Sequence, residues 1–236
     1  MNGTASVATR RSCQPQNTSP AIPFGAPLVR WLTSWLVRLR SALPGTPYHA
    51  IKRALPHLNA DSTVVVVGVG GLGHMAIQLL RVLAPVRIVA ADVDDKKLQH
   101  AEALGADDIV NNRSLAEAAE RIQQITGPRG AGLVLDCVGV QPTLDLGAKL
   151  LGRNSVWTIV GLGGGRHEFR HGSTPYGTSM SIPYWGSRVE LMEVIAMARD
   201  GRIHAETTDF PLTEAVDVYG KLKAGQITGR AVLVPA

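Results

Sequence analysis

Cysteine is scarce in this chain and long apolar segments are absent, and both features narrow the kinds of protein it can be. The two cysteines, Cys13 and Cys137, cannot build a disulfide framework, and their spacing is not that of a metal site. No apolar run approaches the roughly 20 residues that span a bilayer. Two thiols without a membrane span are typical of a reducing compartment, and we expect a cytoplasmic location.

Acidic residues are missing from the first quarter of the chain. Residues 1–60 contain seven Arg and Lys but no Asp or Glu, so residues 61–236 hold the other 17 basic and all 19 acidic residues, for a net charge of −2 there. The overall charge of +5 therefore belongs to the N-terminal part. It gives no indication of a nucleic-acid partner for the rest of the chain.

Residues 1–44 are expected to form an N-terminal extension that is partly disordered and contains one amphipathic helix. Residues 1–27 are rich in Ser, Thr, Pro, Asn and Gln. Residues 27–40 place Trp and Leu on one face of a helix, with arginines off that face. This segment has four open interpretations: contact with a membrane surface, an organellar transit peptide, a helix that packs back on the body, or sequence without a selected role.

A valine run followed by a glycine-rich turn organises the rest of the chain. The four consecutive valines Val64–Val67 are typical of a strand buried on both faces. A G-x-G-x-x-G turn follows, anchored by Gly68, Gly70 and Gly73, and apolar residues at helical spacing come next. Such glycines permit a tight turn, close approach to a pyrophosphate, and close packing of helix on strand.

An acidic residue completes the pattern. Residues 86–91 predict a second strand, and Asp92 follows Gly73 by 19 residues. In dinucleotide-binding units an acidic residue about 20 positions after the turn binds the adenosine ribose. The sequence therefore predicts a dinucleotide site. A methyltransferase, which uses a similar turn, is the alternative.

Strands and helices alternate along the body, which predicts an α/β fold with a doubly wound parallel Rossmann sheet. Ligands of such sheets bind at the carboxyl ends of the strands. The predicted strands are 64–67, 86–92, 108–110, 132–137, 155–160, 179–184 and 231–234. The predicted helices are 96–104, 115–125, 143–151, 188–199 and 213–223, the last with Thr213 as its N-cap.

Further motifs accompany this order of elements. They are Thr46-Pro47-Tyr48-His49-Ala50, Asp136-Cys137-Val138-Gly139, Trp185-Gly186-Ser187-Arg188 with Glu190-Leu191, and Gly229-Arg230-Ala231-Val232-Leu233. From about Gly45 to its end, the chain closely resembles the coenzyme half of the zinc-type, medium-chain alcohol dehydrogenases. The resemblance implies an NAD-binding Rossmann domain at residues 45–186. It implies an incomplete remnant of the catalytic domain at residues 187–236, as in an N-terminally truncated member.

The resemblance also implies a set of cofactor-binding residues. Backbone N–H groups of the glycine turn face the pyrophosphate, together with an arginine, and an aspartate and a lysine reach the adenosine ribose. Small and apolar residues line the path to the nicotinamide, and a threonine lies beside its ring. The set is Thr46, Gly68, Gly70, Gly71, Leu72, Gly73, Asp92, Lys97, Val138, Gly139, Val160, Gly161, Leu162 and Arg230.

The charge of Asp92 independently favours NAD over NADP. A carboxylate at this position repels a 2′-phosphate, and no arginine follows it to reverse that preference.

The zinc site that the resemblance implies has no ligands in this chain. Family members bind zinc with residues of a preceding domain, which has no counterpart here, and with one residue that corresponds to Ala42. An alanine methyl group cannot coordinate a metal. The histidines His49, His57, His74 and His100 show no paired ligand spacing. We therefore assign no metal ligand and no catalytic residue.

The expected function is that of an NAD-dependent alcohol dehydrogenase-type oxidoreductase, which oxidises an alcohol to an aldehyde or ketone and transfers hydride to NAD. Its substrate class is a small alcohol or carbonyl compound. The alternative is a non-catalytic NAD-binding module or an inactive truncated remnant. A homodimer through the edge strand predicted at residues 179–184 is compatible with both.

Overall fold

A computed structural model of the chain describes residues 45–227 and 229–235, and six parallel strands form its centre. The strand order is β3-β2-β1-β4-β5-β6. The strands are β1 (Thr63–Val67), β2 (Arg87–Asp92), β3 (Asp108–Asn111), β4 (Ala131–Asp136), β5 (Leu151–Ile159) and β6 (Ser179–Ser181). The predicted doubly wound sheet is confirmed. The predictions for residues 1–44, including the helix at 27–40, lie outside the described residues.

The described part of the chain forms seven α-helices, which pack against this sheet or lie beyond it. They are α1 (Gly45–Ala54), α2 (Gly73–Leu83), α3 (Asp95–Ala103), α4 (Leu115–Thr126), α5 (Gln141–Leu150), α6 (Arg188–Arg199) and α7 (Ala215–Lys223). Two further strands, β7 (Thr207–Pro211) and β8 (Arg230–Val234), pair with each other in a separate parallel sheet. Among the helices of the described residues, none is long and apolar enough to cross a membrane.

The valine run explains why β1 lies in the middle. All five of its residues are buried, and because strand side chains alternate between faces, successive valines enter different cores. Val64 and Val66 belong to one apolar cluster, whereas Val65 and Val67 belong to the other. The first cluster includes residues of α1, α2 and α6, and the second includes residues of α4 and α5. Helices therefore cover both faces, as parallel sheets require.

Several predicted boundaries differ from the observed ones. The predicted strand at 179–184 ends at Ser181, before Pro183, which lacks the N–H group a ladder needs. Thr213 does not cap a helix, because Leu212–Glu214 forms a 3₁₀ turn that leads into α7. The sequence pattern did not predict α1 or β7. Helix α6 begins and ends as predicted.

The segment formed by β7, α7 and β8 is called the C-terminal lobe below. Its buried apolar residues include Val218 and Val232, and neither belongs to the two core clusters. On α7, Val216, Tyr219 and Leu222 are 84%, 69% and 53% exposed. In contrast, Val194, Met197 and Ala198 of α6 belong to the first core cluster. The lobe is thus much less covered than the six-stranded sheet.

Candidate functional site

In the turn between β1 and α2, protein atoms leave no room for a side chain at two of the glycines. Gly68 has a φ of +88°, which a side chain would strain, and a Cβ there would overlap Val138. A Cβ on Gly73 would overlap the carbonyl oxygen of Gly68, so only glycine allows α2 to start this close to β1. Gly68 also donates its N–H to the Ala91 carbonyl (2.7 Å), which joins the turn to β2.

The next two positions of the turn differ from these. A Cβ on Gly71 would lie 2.6 Å from Nε of Arg230, so the arginine side chain lies over this residue. Burial lowers the pKa of Arg230, which still leaves the guanidinium charged at neutral pH. A Cβ on Gly70 would meet no atom within 4 Å, and Gly70 has no positive φ. The turn therefore has free space beside Gly70 and a positively charged side chain beside Gly71.

Asp92 ends β2 directly beside this turn. It is buried, and its Oδ2 accepts the Val69 N–H (2.7 Å) while Oδ1 accepts the Asp94 N–H (3.0 Å). The carboxylate therefore holds two loops together. Each oxygen keeps a lone pair for a further donor, such as a sugar hydroxyl. Lys97 lies half-buried in the first turn of α3, the helix that follows.

Two loops beyond β4 and β5 complete the edge of the site. Gly139 has a φ of +72°, and a Cβ there would overlap the Gly161 carbonyl oxygen. A Cβ on Gly161 would in turn overlap the backbone of Val138, and Gly163 donates its N–H to the Val138 carbonyl (3.0 Å). The two loops thus contact each other through their backbones. Val160 is buried at this contact and Leu162 is exposed.

Asp136 fixes the loop after β4. It is fully buried, and its Oδ1 accepts the N–H groups of Val138 (2.8 Å) and Gly139 (2.9 Å). Burial raises the pKa of the neighbouring Cys137 thiol to about 12, and the charge of Asp136 adds to this effect. Cys137 is therefore a protonated thiol at neutral pH and not a nucleophile.

Helix α1 carries Thr46 and is fastened to α6 by polar contacts. Thr46 is buried in the first turn of α1. Nδ1 of His49 lies 2.9 Å from Oε1 of Glu190, and the Tyr48 hydroxyl donates to Glu193 (2.7 Å). Burial acts to raise the pKa of Glu190, but hydrogen bonds from the Ser187 backbone, His49 and the Ser187 side chain lower it to about 2. Glu190 is thus an anion that anchors α1.

Together, these contacts bring most of the predicted set to one edge of the sheet. The residues that meet are Gly68, Gly70, Gly71, Leu72, Gly73, Asp92, Val138, Gly139, Val160, Gly161 and Arg230. Thr46 and Lys97 lie on separate helices, and Leu162 follows Gly161. The roles of Asp136 and His74 were not predicted from the sequence. Asp136 stands two and three residues before its donors, a spacing typical of Asp in turns. His74 follows Gly70 by four residues, the spacing of a helical contact.

A profile of the family described as "Zinc-binding dehydrogenase" matches residues 71–198, more than half of the chain. The chain belongs to the zinc-binding dehydrogenase family. This confirms the resemblance noted from the sequence. The family name implies a zinc ion, but the described residues contain no group of three His, Cys, Asp or Glu that could hold a metal. Ala42, the position of an expected ligand, lies outside the described residues. Zinc therefore does not fit the described part of this dehydrogenase chain.

Relatives of this zinc-binding dehydrogenase chain include enzymes with either nicotinamide cofactor. It is 31% identical over 196 residues to the NAD-dependent alcohol dehydrogenase of Sulfurisphaera tokodaii, covering 80% of this chain and 55% of that enzyme. It is 29% identical over 215 residues to the D-arabinose 1-dehydrogenase (NADP(+)) of Saccharolobus solfataricus, covering 85% and 61%. The crystal structure of the Aeropyrum pernix alcohol dehydrogenase matches with a TM-score of 0.80 and 36% identity, covering 91% and 61%. The chain thus spans little more than half the length of these relatives.

Proposed function

We propose that this chain binds NAD at the glycine turn and serves as the coenzyme-binding part of an alcohol dehydrogenase-type oxidoreductase. The observation that carries the proposal is the open space at Gly70. Protein atoms overlap a Cβ built at Gly68 or Gly73, and the Arg230 side chain overlaps one at Gly71, but no atom lies within 4 Å of a Cβ at Gly70, whose φ is not positive. A ligand that comes close to the backbone, as a pyrophosphate does, would fit in this space beside the start of α2.

The residues of the site fit each part of the coenzyme. The N–H groups of Gly70, Gly71 and Leu72 lie at the start of α2, where the helix dipole favours an anion. Arg230 adds a full positive charge beside Gly71. Asp92 accepts hydrogen bonds from the ribose and repels a 2′-phosphate, so the chain is proposed to prefer NAD to NADP. The buried Val160 gives the proposed nicotinamide side an apolar residue.

When bound, NAD supplies the carbon that accepts a hydride from an alcohol, and a small alcohol or carbonyl compound is the proposed substrate class. The described residues hold the coenzyme but supply no ligand set that would activate the alcohol. This observation favours a second candidate function, a coenzyme-binding module without turnover. Reduction of NAD by a panel of alcohols, with and without added zinc, separates the two. In this proposal residues 45–186 form the NAD-binding unit and residues 187–236 a part of the second domain.

The test of NAD binding is calorimetric titration of the full chain and its Gly70→Ala variant. The added methyl group meets no protein atom, so the variant should keep the melting temperature but bind NAD at least about tenfold more weakly, since the methyl occupies the space of the pyrophosphate. Gly220→Ala is the matched control, because Gly220 is exposed on α7, away from the turn. Unchanged binding in Gly70→Ala, or no binding by the wild type, would overturn the proposal.

Substitution of Asp92 is a less clean test of binding. Because its two oxygens accept the N–H groups of Val69 and Asp94, Asp92→Ala would disturb the turn as well as the ribose contact. The ratio of the NAD and NADP dissociation constants of the wild type is more informative. We expect NADP to bind more weakly, and equal binding would contradict the role given to Asp92.

The edge strand β6 supports the proposal of a homodimer. Among the described strands β6 pairs with β5 alone, so its other side is free to pair. Beyond it, Ile182, Tyr184 and Trp185 are exposed, and the last two rings are stacked with centroids 5.0 Å apart. An exposed edge with apolar neighbours is a site for strand pairing with a second copy. Analytical ultracentrifugation of the wild type and an Ile182→Lys variant tests this, and a monomeric wild type would contradict it.

A further inference from the structure

His74 stands at the start of α2 and contacts the glycine turn that precedes it. The side chain is 1% exposed, and its Nδ1 lies 3.0 Å from the carbonyl oxygen of Gly70. The backbone N–H of His74 donates to the same oxygen (3.1 Å). A carbonyl oxygen can only accept, so Nδ1 carries the hydrogen and the Gly70 carbonyl receives two donors from one residue.

The Gly70 carbonyl belongs to the peptide group that also contains the Gly71 N–H. This group is planar and trans, so the direction of the carbonyl fixes the opposite direction of the N–H. The group lies between two glycines, the residues that restrict the backbone least. Without a restraint it could rotate and present its carbonyl oxygen, instead of its N–H, toward an anion. The backbone N–H of His74 restrains this rotation, and the hydrogen bond from Nδ1 adds a second restraint that depends on the side chain.

From this geometry we propose that His74 is a positioning residue, whose Nδ1–H holds the Gly70–Gly71 peptide with the Gly71 N–H directed at the pyrophosphate of NAD. The inference rests on the proposed function and goes further, because it assigns the affinity for the pyrophosphate to a side chain that does not itself contact the coenzyme. It also explains why a polar ring is buried at this position. An apolar residue there would pack without leaving a polar atom unpaired. The Nε2 atom of His74 has no hydrogen-bond partner within the described residues.

Burial keeps the His74 ring neutral, although its hydrogen bond to Gly70 opposes this effect. Burial lowers the pKa of His74, and the neighbouring His100 and Arg230 lower it further, while Glu206 acts in the opposite direction. The His100 ring lies on α3 with its centroid 6.4 Å from that of His74, and its Nε2 is 2.7 Å from Oε2 of Glu206. Neutral His74 has a single N–H, and the bond to Gly70 places it on Nδ1. The ring is therefore a neutral donor to the turn.

Two substitutions separate positioning from packing. His74→Leu fills the space without a donor, whereas His74→Asn carries an amide nitrogen at about the distance of Nδ1 from the backbone. We expect the Leu variant to bind NAD about tenfold more weakly while its melting temperature is kept or raised, and the Asn variant to stay within about threefold of the wild type. His57→Leu is the matched control, because His57 is exposed and lies away from the turn.

A second ligand locates the effect within the site. Adenosine lacks the pyrophosphate, so its dissociation constant, measured by NMR titration, should be the same in the wild type and the Leu variant. ADP-ribose contains the pyrophosphate and should lose affinity as NAD does. Equal loss for adenosine and ADP-ribose would mean that the whole site is disturbed, and would overturn the inference.

The remaining outcomes are distinct. A wild type that binds NAD and a Leu variant that binds it equally well would overturn the role of His74 and leave the proposed function standing. A wild type that does not bind NAD would overturn the proposed function, and this inference with it. Weak binding by the Leu variant with recovery in the Asn variant supports positioning through Nδ1.

Discussion

The six-stranded sheet and the two-stranded sheet of the C-terminal lobe are both parallel, yet they are covered very differently. Every residue of β1 is buried. In β7, three of the five residues are exposed and the other two are half-buried, and in β8 one of five is buried. Backbone pairing is the same in both sheets. The two sheets therefore share the parallel pairing of their strands and differ in the burial of their side chains.

The largest expected difference concerns aromatic side chains. Trp157 of β5 is fully buried and packs edge-on against His167, with ring centroids 4.8 Å apart. Trp157→Ala should lower the free energy of unfolding by about 3–5 kcal/mol because it leaves a large cavity. Tyr219→Ala on the exposed face of α7 should change it by less than about 0.5 kcal/mol. Urea unfolding measures both, and a comparable loss in the two variants would break the comparison.

A smaller difference is expected between two buried valines. Val65 of β1 and Val232 of β8 both lie in parallel strands and are nearly inaccessible to solvent, but only Val65 belongs to a core cluster. Loss of two methyl groups costs about 1.5 kcal/mol by transfer alone, and the rigid core adds a cavity cost. We expect about 2.5 kcal/mol for Val65→Ala and about 1.5 kcal/mol for Val232→Ala in urea unfolding. A larger cost at Val232 would mean that the lobe is as tightly packed as the body.

The smallest expected effect is a dependence on pH at the junction of the two regions. His74 lies in the body, and its charged neighbours Glu206 and Arg230 come from segments that adjoin or form the lobe. Its folded-state pKa is below the ordinary value of 6.5, mainly because of burial. Its contribution to stability is therefore present above pH 6.5 and is lost as pH falls from there toward its folded-state pKa.

Between pH 7 and pH 5 the melting temperature of the wild type should accordingly fall more steeply than that of His74→Asn, which cannot titrate. Differential scanning calorimetry at several pH values measures both slopes. His57→Asn, with the change at an exposed histidine, should follow the wild type. Parallel slopes for the wild type and His74→Asn would contradict the assignment of this pH dependence to His74.

The central sheet could be predicted because its signals are local. The valine run and the glycine turn lie within eleven residues and identify β1, the start of α2, and by spacing the end of β2. Helix α6 was predicted with its observed bounds from the helical spacing of its apolar residues, and the structure adds a capping box of Ser187 and Glu190 at its start. In contrast, β7 has no alternation of apolar and polar residues, because neither of its faces is buried.

The site could be predicted in part only. The glycine turn and Asp92 were found from spacing, whereas Val138, Gly161 and Arg230 came from resemblance to a family. Contacts of the site join residues that lie far apart in sequence, because crossover helices separate them. No local periodicity predicts such contacts. His49 and Glu190, for example, are 141 positions apart. The contact of His74 with Gly70 had a local signal, but burial decides whether a histidine at this spacing bonds to the turn or faces solvent.

The position of Arg230 has a consequence for the C-terminal lobe. It is the first residue of β8, in the lobe, yet its side chain lies over Gly71 in the body. An anion held between Arg230 and the glycine turn would bind the folded lobe and not an unfolded one. By mass action such a ligand would stabilise the folded lobe, and its apparent affinity would depend on the fraction of lobe that is folded. If Arg230 binds the coenzyme as proposed, coenzyme concentration would thus determine how often the lobe unfolds.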